Sequence, residues 1–319
     1  MTDKNTTGAE RPIVWRSLLY VPTNNEKFVA KAHTRGADGI ILDLEDSVPE
    51  QERQRARDML PDAVKSVTQS GADPIVRINR PIRHMVKDVE AAVKAGARAL
   101  FVTKVDGAGH LKLVAELVGE VEREAGRPQG SVKLAAMVET ADAYFRAHAI
   151  ARASSRLIGM NLGGEDFAME MGMVPDTETL LVPKQTVMIA AKAAGLMAMG
   201  FIGTVADYND TEGFRAAVRK SVKFGFDCAS VIHPSGVAIL NEEFTPSAEA
   251  VDHARRLCGR AEGGQGGDHR RRQNDRRADR DPGGTPAGAL RGDPRPRRKL
   301  RNGQGGESGY SIPAAAVAT

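Results

Sequence analysis

Eight short runs of aliphatic residues constrain this chain more than any other feature. They lie at 16–21, 39–44, 74–78, 99–102, 132–138, 157–162, 196–202 and 229–232. Each is apolar almost throughout rather than alternating, the pattern of a parallel strand buried on both faces. Stretches of helical periodicity separate them. Val86, Val89 and Val93 share a face ahead of Gly96, which stands where a C-terminal glycine cap belongs. Leu113, Leu117 and Val121 make a second stripe, and Phe214, Val218 and Val222 follow a candidate N-cap at Asp210. Periodicity alone also allows some runs to be buried helix segments. Eight strand–helix units spaced about 30 residues apart predict an α/β fold, the (β/α)8 TIM barrel. The competing architecture is an open doubly wound sheet. The chain has neither a G-x-G-x-x-G after its first strand nor a G-x-x-x-x-G-K-[ST] loop, which disfavours the nucleotide-binding form of that sheet.

With 319 residues, 41% of them hydrophobic, the chain can bury a large core, and with 4% aromatics and one Trp that core must be aliphatic. The charge is uneven. Residues 259–319 carry 13 Lys and Arg against 7 Asp and Glu, whereas the 258 residues before them carry 32 against 34. The basic character belongs to the tail, and no nucleic-acid partner is expected for the body. Cys228 and Cys258 are the two cysteines, so no disulfide scaffold is possible, and residues 1–12 lack the apolar stretch of a secretory signal. No apolar run reaches the ~20 residues of a membrane span. The expected setting is cytoplasmic, with a flexible N-terminus over 1–12, a barrel over 13–258 and a basic tail over 259–319.

A parallel barrel gathers its chemistry at the C-terminal ends of its strands. Those ends carry Asp43, Glu45 and Asp46, then Arg77, Lys104, Glu139, Glu165 and Asp166, and His233. Glu139 and Asp166 fall one unit apart and can share a ligand; two hard oxygen donors completed by water and substrate oxygens suit Mg2+. The alternative is two solvated acids. Glu45 and Asp46 either orient metal-bound water or cap a helix. Arg77, embedded in an apolar strand, needs a partner: a substrate carboxylate gripped bidentately, or a structural salt bridge to Asp43 or Glu45. Lys104 offers a similar choice. His233 is a general base or a hydrogen-bonded support, and Cys228 reads as core filler. A metal and an arginine facing one pocket suit chemistry through an enolate.

Several ordered motifs resemble the citrate lyase β-subunit-like branch of the HpcH/HpaI aldolase family. They are Arg16-Ser17-Leu18-Leu19-Tyr20-Val21-Pro22, Asp43-Leu44-Glu45-Asp46-Ser47-Val48, Val76-Arg77-Ile78-Asn79, Val138-Glu139-Thr140, Gly163-Gly164-Glu165-Asp166 and Ile232-His233-Pro234, with Phe244-Thr245-Pro246-Ser247 closing the series. The resemblance implies a Mg2+-dependent TIM-barrel lyase that cleaves a CoA thioester of the citramalyl, malyl or citryl type into an acyl-CoA and an oxo-acid or other carbonyl product. It implies Glu139 and Asp166 as metal ligands, Arg77 on the oxo-acid, Glu45 and Asp46 holding metal-bound water, and Arg16 and Lys27 near the CoA phosphates. It also implies a homo-oligomer, a trimer or hexamer. A metal-dependent aldolase on free hydroxy-oxo-acids is the nearest alternative.

The resemblance stops near Leu257. Relatives continue into a helical lid with a Met-Ile-Asp-x-Pro-like segment, whose aspartate acts in a neighbouring subunit's site. Between 259 and 309 this chain has only Leu290 and Leu300 among its large apolar residues, so disorder is expected. The Arg/Gly/Pro/Ala mixture is read either as a basic tail that binds anionic polymers or, the favoured reading, as a frameshift, in which case an adjacent reading frame of the gene should encode an apolar helix and an Ile-Asp-x-Pro-like element. A barrel that binds metal and oxo-acid but turns over poorly is the corresponding expectation for this chain.

Overall fold

In the computed structural model the described residues are 12–203, 210–249, 251–253 and 255–256. The chain divides into two units, Met1–Asp252 and His253–Thr319, and the first holds the fold. The expected flexible N-terminus and basic tail fall almost wholly on residues 1–11 and 257–319, outside the described residues.

All eight apolar runs form strands: β1 Ser17–Pro22, β2 Gly39–Asp43, β3 Asp73–Ile78, β4 Ala99–Val102, β5 Lys133–Val138, β6 Leu157–Leu162, β7 Met197–Ala198 and β8 Ala229–Val231. Ten α-helices of the described residues connect or follow them: α1 Glu26–Ala32, α2 Arg53–Val67, α3 Ile82–Ala95, α4 Ala108–Glu124, α5 Ala141–Phe145, α6 Ala147–Ile150, α7 Gly164–Met171, α8 Leu181–Ala193, α9 Thr211–Phe224 and α10 Ser235–Glu243. The strands are parallel and ordered β7-β6-β5-β4-β3-β2-β1-β8, with none of the reversal that a doubly wound sheet requires. A parallel bridge between Met199 and Cys228 joins the two outer strands, and the Gly200 amide donates to the Cys228 carbonyl at 2.8 Å. The sheet curls into a barrel of the TIM type.

Strand period then sorts the side chains. Trp15, Leu18, Ile41, Ile75, Phe101, Ala135 and Met199 pack together inside the barrel as one buried plug. Leu19, Ile40, Leu42, Val76, Ile78 and Val102 face the helices in the larger core. Two residues beyond the plug on the same strand faces come Tyr20, Asp43, Arg77 and, past Met137, Glu139. Alternation alone therefore sets four chemical groups in one layer at the C-terminal mouth.

Two local expectations are corrected. On α4 the buried face is Leu111, Val114, Val118 and Val121, while Leu113 is 62% exposed. Apolar residues surround so much of this helix that spacing alone picks the wrong stripe; packing against α3 chooses the face. The seventh run yields a strand of two residues, because Gly200 and Gly203 take φ of 115° and 152°, where a strand cannot continue. The caps at Gly96 (φ 98°) and Asp210, whose carboxylate accepts from the Gly213 amide, are as the sequence predicts.

Candidate active site

A cavity of about 770 Å³ opens at the C-terminal mouth. Arg77, Glu139, Asp166, Asp43 and Asp46 line it, and so does Lys27. Asp43 and Arg77 are paired residues of neighbouring strands, so their side chains meet without a loop to place them. Arg77 donates Nε to Asp43 Oδ1 at 2.7 Å and Nη2 to Asp43 Oδ2 at 2.6 Å, a bidentate fork. Its Nη1 lies 3.2 Å from both Glu45 and Asp46, and its guanidinium stacks on the Tyr20 ring 4.8 Å from the centroid. Asp43 in turn accepts from the Glu45 amide at 3.0 Å and from Ser47. Burial alone would push Asp43 upward; the hydrogen bonds and charge of Arg77 hold it below the usual carboxylate range. The structural salt bridge is thus the arrangement present: Asp43 grips the edge of Arg77, and Arg77 also lines the cavity.

Lys104 gathers the acids from the other side. It is the one non-glycine among the described residues with positive φ, 47°, and this turn at the end of β4 aims its own amide at Glu139 Oε2. Its Nζ lies 2.5 Å from Glu45 Oε1, 3.2 Å from Asp166 Oδ2 and 3.5 Å from Asp46 Oδ1. Glu45 is pushed up to about 6, by burial first and then by Asp46, against the pull of Arg77 and Lys104. Glu139, 3% exposed, is pushed up to about 8: burial is the main cause, and the charges of Asp166 and Glu45 add to it.

These features fit a divalent cation. Glu139 is a carboxyl at a cavity wall whose charged form calls for a cation, and Asp166 Oδ2 is buried without a hydrogen bond among the described residues, with the Lys104 ammonium 3.2 Å away. A methyl group on Gly163 would sit 2.5 Å from Glu139 Cγ and 2.7 Å from Oε1, so only glycine leaves room beside that carboxylate. No group of three or more His, Cys, Asp or Glu is poised to hold a metal among the described residues. Glu139 and Asp166 would offer a pair of oxygens, and water and substrate would complete an octahedron.

A model of the HpcH/HpaI aldolase/citrate lyase family matches residues 16–234. The chain belongs to that family. It is a lyase of the citrate lyase type. Citrate lyase subunit beta of Leuconostoc mesenteroides subsp. cremoris is 34% identical over 245 residues, 76% of this chain and 80% of the relative. The (3S)-malyl-CoA thioesterase of Cereibacter sphaeroides is 35% identical over 76% of this chain and 81% of its own. Among solved structures, protein CitE from Mycobacterium tuberculosis in complex with magnesium, acetoacetate and coenzyme A superposes with a TM-score of 0.60 at 26% identity, covering 77% of this chain and 87% of that one.

Of the residues the sequence singles out, the fold of this lyase brings together Arg77, Glu45, Asp46, Glu139, Asp166 and Lys104. Lys27 reaches the rim of the same cavity. Arg16 is not brought there. It precedes β1, at the opposite end of the barrel, where it pairs with Asp38 through two hydrogen bonds and donates to Thr245. His233 lines the cavity with Nδ1 2.7 Å from Ser235 Oγ, and Cys228 is fully buried in the barrel plug. Sequence reasoning missed Lys31 and Arg35, which join Lys27 at the rim with helical spacing that was there to be seen. It also missed Lys184, a lysine within an apolar helix that carries no motif. No helix among the described residues is long and apolar enough to cross a membrane.

Proposed function

We propose that this chain is a Mg2+-dependent carbon–carbon lyase that cleaves a 3-hydroxyacyl-CoA thioester into an oxo-acid and an acyl-CoA. The observation that carries the reading is the juxtaposition of the Glu139–Asp166 carboxylate pair and the Arg77 guanidinium on one cavity whose rim bears Lys27, Lys31 and Arg35. The pair would hold the cation, which when bound supplies Lewis-acid polarisation of the reacting oxygens. Arg77, pre-oriented by Asp43, receives the carboxylate of the oxo-acid portion and offsets charge that develops next to it. Glu45 and Asp46, bridged by Arg77 and Lys104, orient water at the acidic side of the cavity. Cleavage requires loss of the 3-hydroxyl proton; the C2–C3 electron pair then passes to the thioester as an enolate, and a proton returns to C2 to give the acyl-CoA. The rim of three cations suits the phosphates of a CoA carrier and favours it over a free hydroxy-oxo-acid. The relatives named citrate lyase subunit beta and malyl-CoA thioesterase, and the coenzyme A in the CitE complex, support the same substrate class. A cytoplasmic homo-oligomer of three or six subunits belongs to this reading.

The test is mass-spectrometric detection of acyl-CoA products from malyl-, citramalyl- and citryl-CoA, with Mg2+ and with EDTA. Mg2+-dependent cleavage of one of them is expected. No cleavage, with oxo-acid binding intact, would replace the reading by a barrel that binds without turnover; cleavage unaffected by EDTA would remove the metal.

A further inference from the structure

One residue touches both members of the proposed metal-binding pair, and it does so with opposite ends. The Lys104 amide donates to Glu139 Oε2, while the Lys104 ammonium lies 3.2 Å from Asp166 Oδ2. The same ammonium is 2.5 Å from Glu45 Oε1 and 3.5 Å from Asp46 Oδ1. It is thus a single positive charge set among three carboxylates. The backbone beneath it takes φ of 47°, a conformation that strains any residue with a side chain and that glycine adopts freely. A glycine would relieve the strain and keep the amide bond to Glu139, so what the lysine adds at this position is its ammonium.

The ammonium and a divalent ion make competing demands on the same oxygen. Asp166 Oδ2 has no hydrogen bond among the described residues, so its contact with Lys104 is one of charge, which an ion of higher charge can replace. With a divalent ion on Glu139 and Asp166, the ammonium would face a like charge a few ångströms away in a half-buried cavity. Glu45 gives it a place to stay, because that hydrogen bond does not involve the pair. In the absence of any metal the ammonium does the opposite service. Without it Asp166 would have no ion pair among the described residues, and Glu45 and Asp46 would keep only Arg77.

Resting on the reading of Glu139 and Asp166 as the metal's partners, we propose that Lys104 is a resident counter-cation: its ammonium holds the acid cluster together in the metal-free protein, and a divalent ion binds by displacing it from Asp166. The chain thereby sets its metal affinity below what the two carboxylates alone would give. Mg2+ titrations of the full chain, followed by heat and by melting temperature, test this. Lys104→Met should bind Mg2+ about tenfold tighter or more, and should melt lower than the unaltered protein in EDTA. Lys104→Arg, which keeps the charge, should show neither change. In the unaltered protein Lys104 should be acetylated faster by acetic anhydride in Mg2+ than in EDTA, read by peptide mass spectrometry against the exposed Lys112 on α4. This last measurement decides the matter if Lys104→Met does not fold. Mg2+ binding that Lys104→Met leaves unchanged or weakens, equal tightening in Lys104→Arg, or acetylation that Mg2+ does not accelerate would each overturn the inference. Those outcomes, with Mg2+ still bound by the unaltered protein, overturn it alone; Mg2+ binding by neither the unaltered protein nor Lys104→Met overturns the proposed function with it.

Discussion

At the scale of single residues, the site is built from exclusions as much as from contacts. Gly163 contributes no atoms to chemistry, yet a methyl group in its place would overlap the Glu139 side chain. Gly163→Ala should therefore displace that carboxylate and weaken Mg2+ binding about 10- to 100-fold by isothermal titration, the range seen when a ligand's support is lost. The melting temperature should barely move, because Gly163 is not in the left-handed region and lies outside the strand ladder. A Mg2+ affinity unchanged by the substitution would remove Glu139 from the metal's partners. Lys104 shows the converse economy: one residue in a strained conformation orients Glu139 through its amide and offsets Glu45 and Asp166 through its ammonium. Spacing in the sequence marks Lys104 as a strand-end cation and says nothing of the amide, since backbone conformation has no side-chain signature there.

At the scale of elements, two buried ion pairs fix the loops and the barrel floor. Asp88 of α3 accepts from Arg57 of α2 at 2.6 Å and from both the amide and the side chain of Asn79, which itself donates to the Leu44 carbonyl. That chain of bonds ties the turn after β3 to the turn carrying Glu45 and Asp46. Asp88→Ala leaves Arg57 buried without its carboxylate and should cost about 3–5 kcal/mol in chemical denaturation. At the opposite end Glu122 of α4, fully buried, accepts from Arg156 and from the Val132 and Gly130 amides. Burial pushes Glu122 up, but Arg156 and the two amides outweigh it and hold its ionisation below 4.5. The sign follows: the folded state binds its proton less readily than the unfolded chain, so the stabilisation is complete above about pH 4.5 and is lost as pH falls through the folded value. Stability curves of Glu122→Gln should accordingly be lower at neutral pH and flatter below 4.5; parallel curves would show that Glu122 carries no pH-linked stability. The strands were legible as elements because double-sided burial demands unbroken apolar runs. The α4 face was not, because Leu111, Leu113, Val114, Leu117, Val118 and Val121 cover too wide an arc for spacing to select one side.

At the scale of the whole molecule, a barrel that closes through the Met199–Cys228 bridge brings eight strand ends to one mouth. Formal charge there is unbalanced: Asp43, Glu45, Asp46, Glu139 and Asp166 face Arg77 and Lys104. A divalent cation bound at the mouth should stabilise the fold by about 2.7 kcal/mol at a hundredfold excess over its Kd. The melting temperature should rise with Mg2+, fall back with EDTA and respond to neither in Glu139→Gln. A rise preserved in that variant would place the cation elsewhere on the molecule.

The eight strands, their parallel class, the family and the roster of strand-end acids are all written in contiguous patterns of the chain. The partners of those groups are set by the packed fold. Arg77 finds Asp43 because two strands pair in register, Lys104 reaches across to Glu45 and Asp166, Arg16 is sent to the far end of the barrel, and Lys184 turns inward from a helix that shows no pattern of function. A periodic run specifies its own burial through local geometry, whereas which charge meets which depends on where strands far apart in the chain come together.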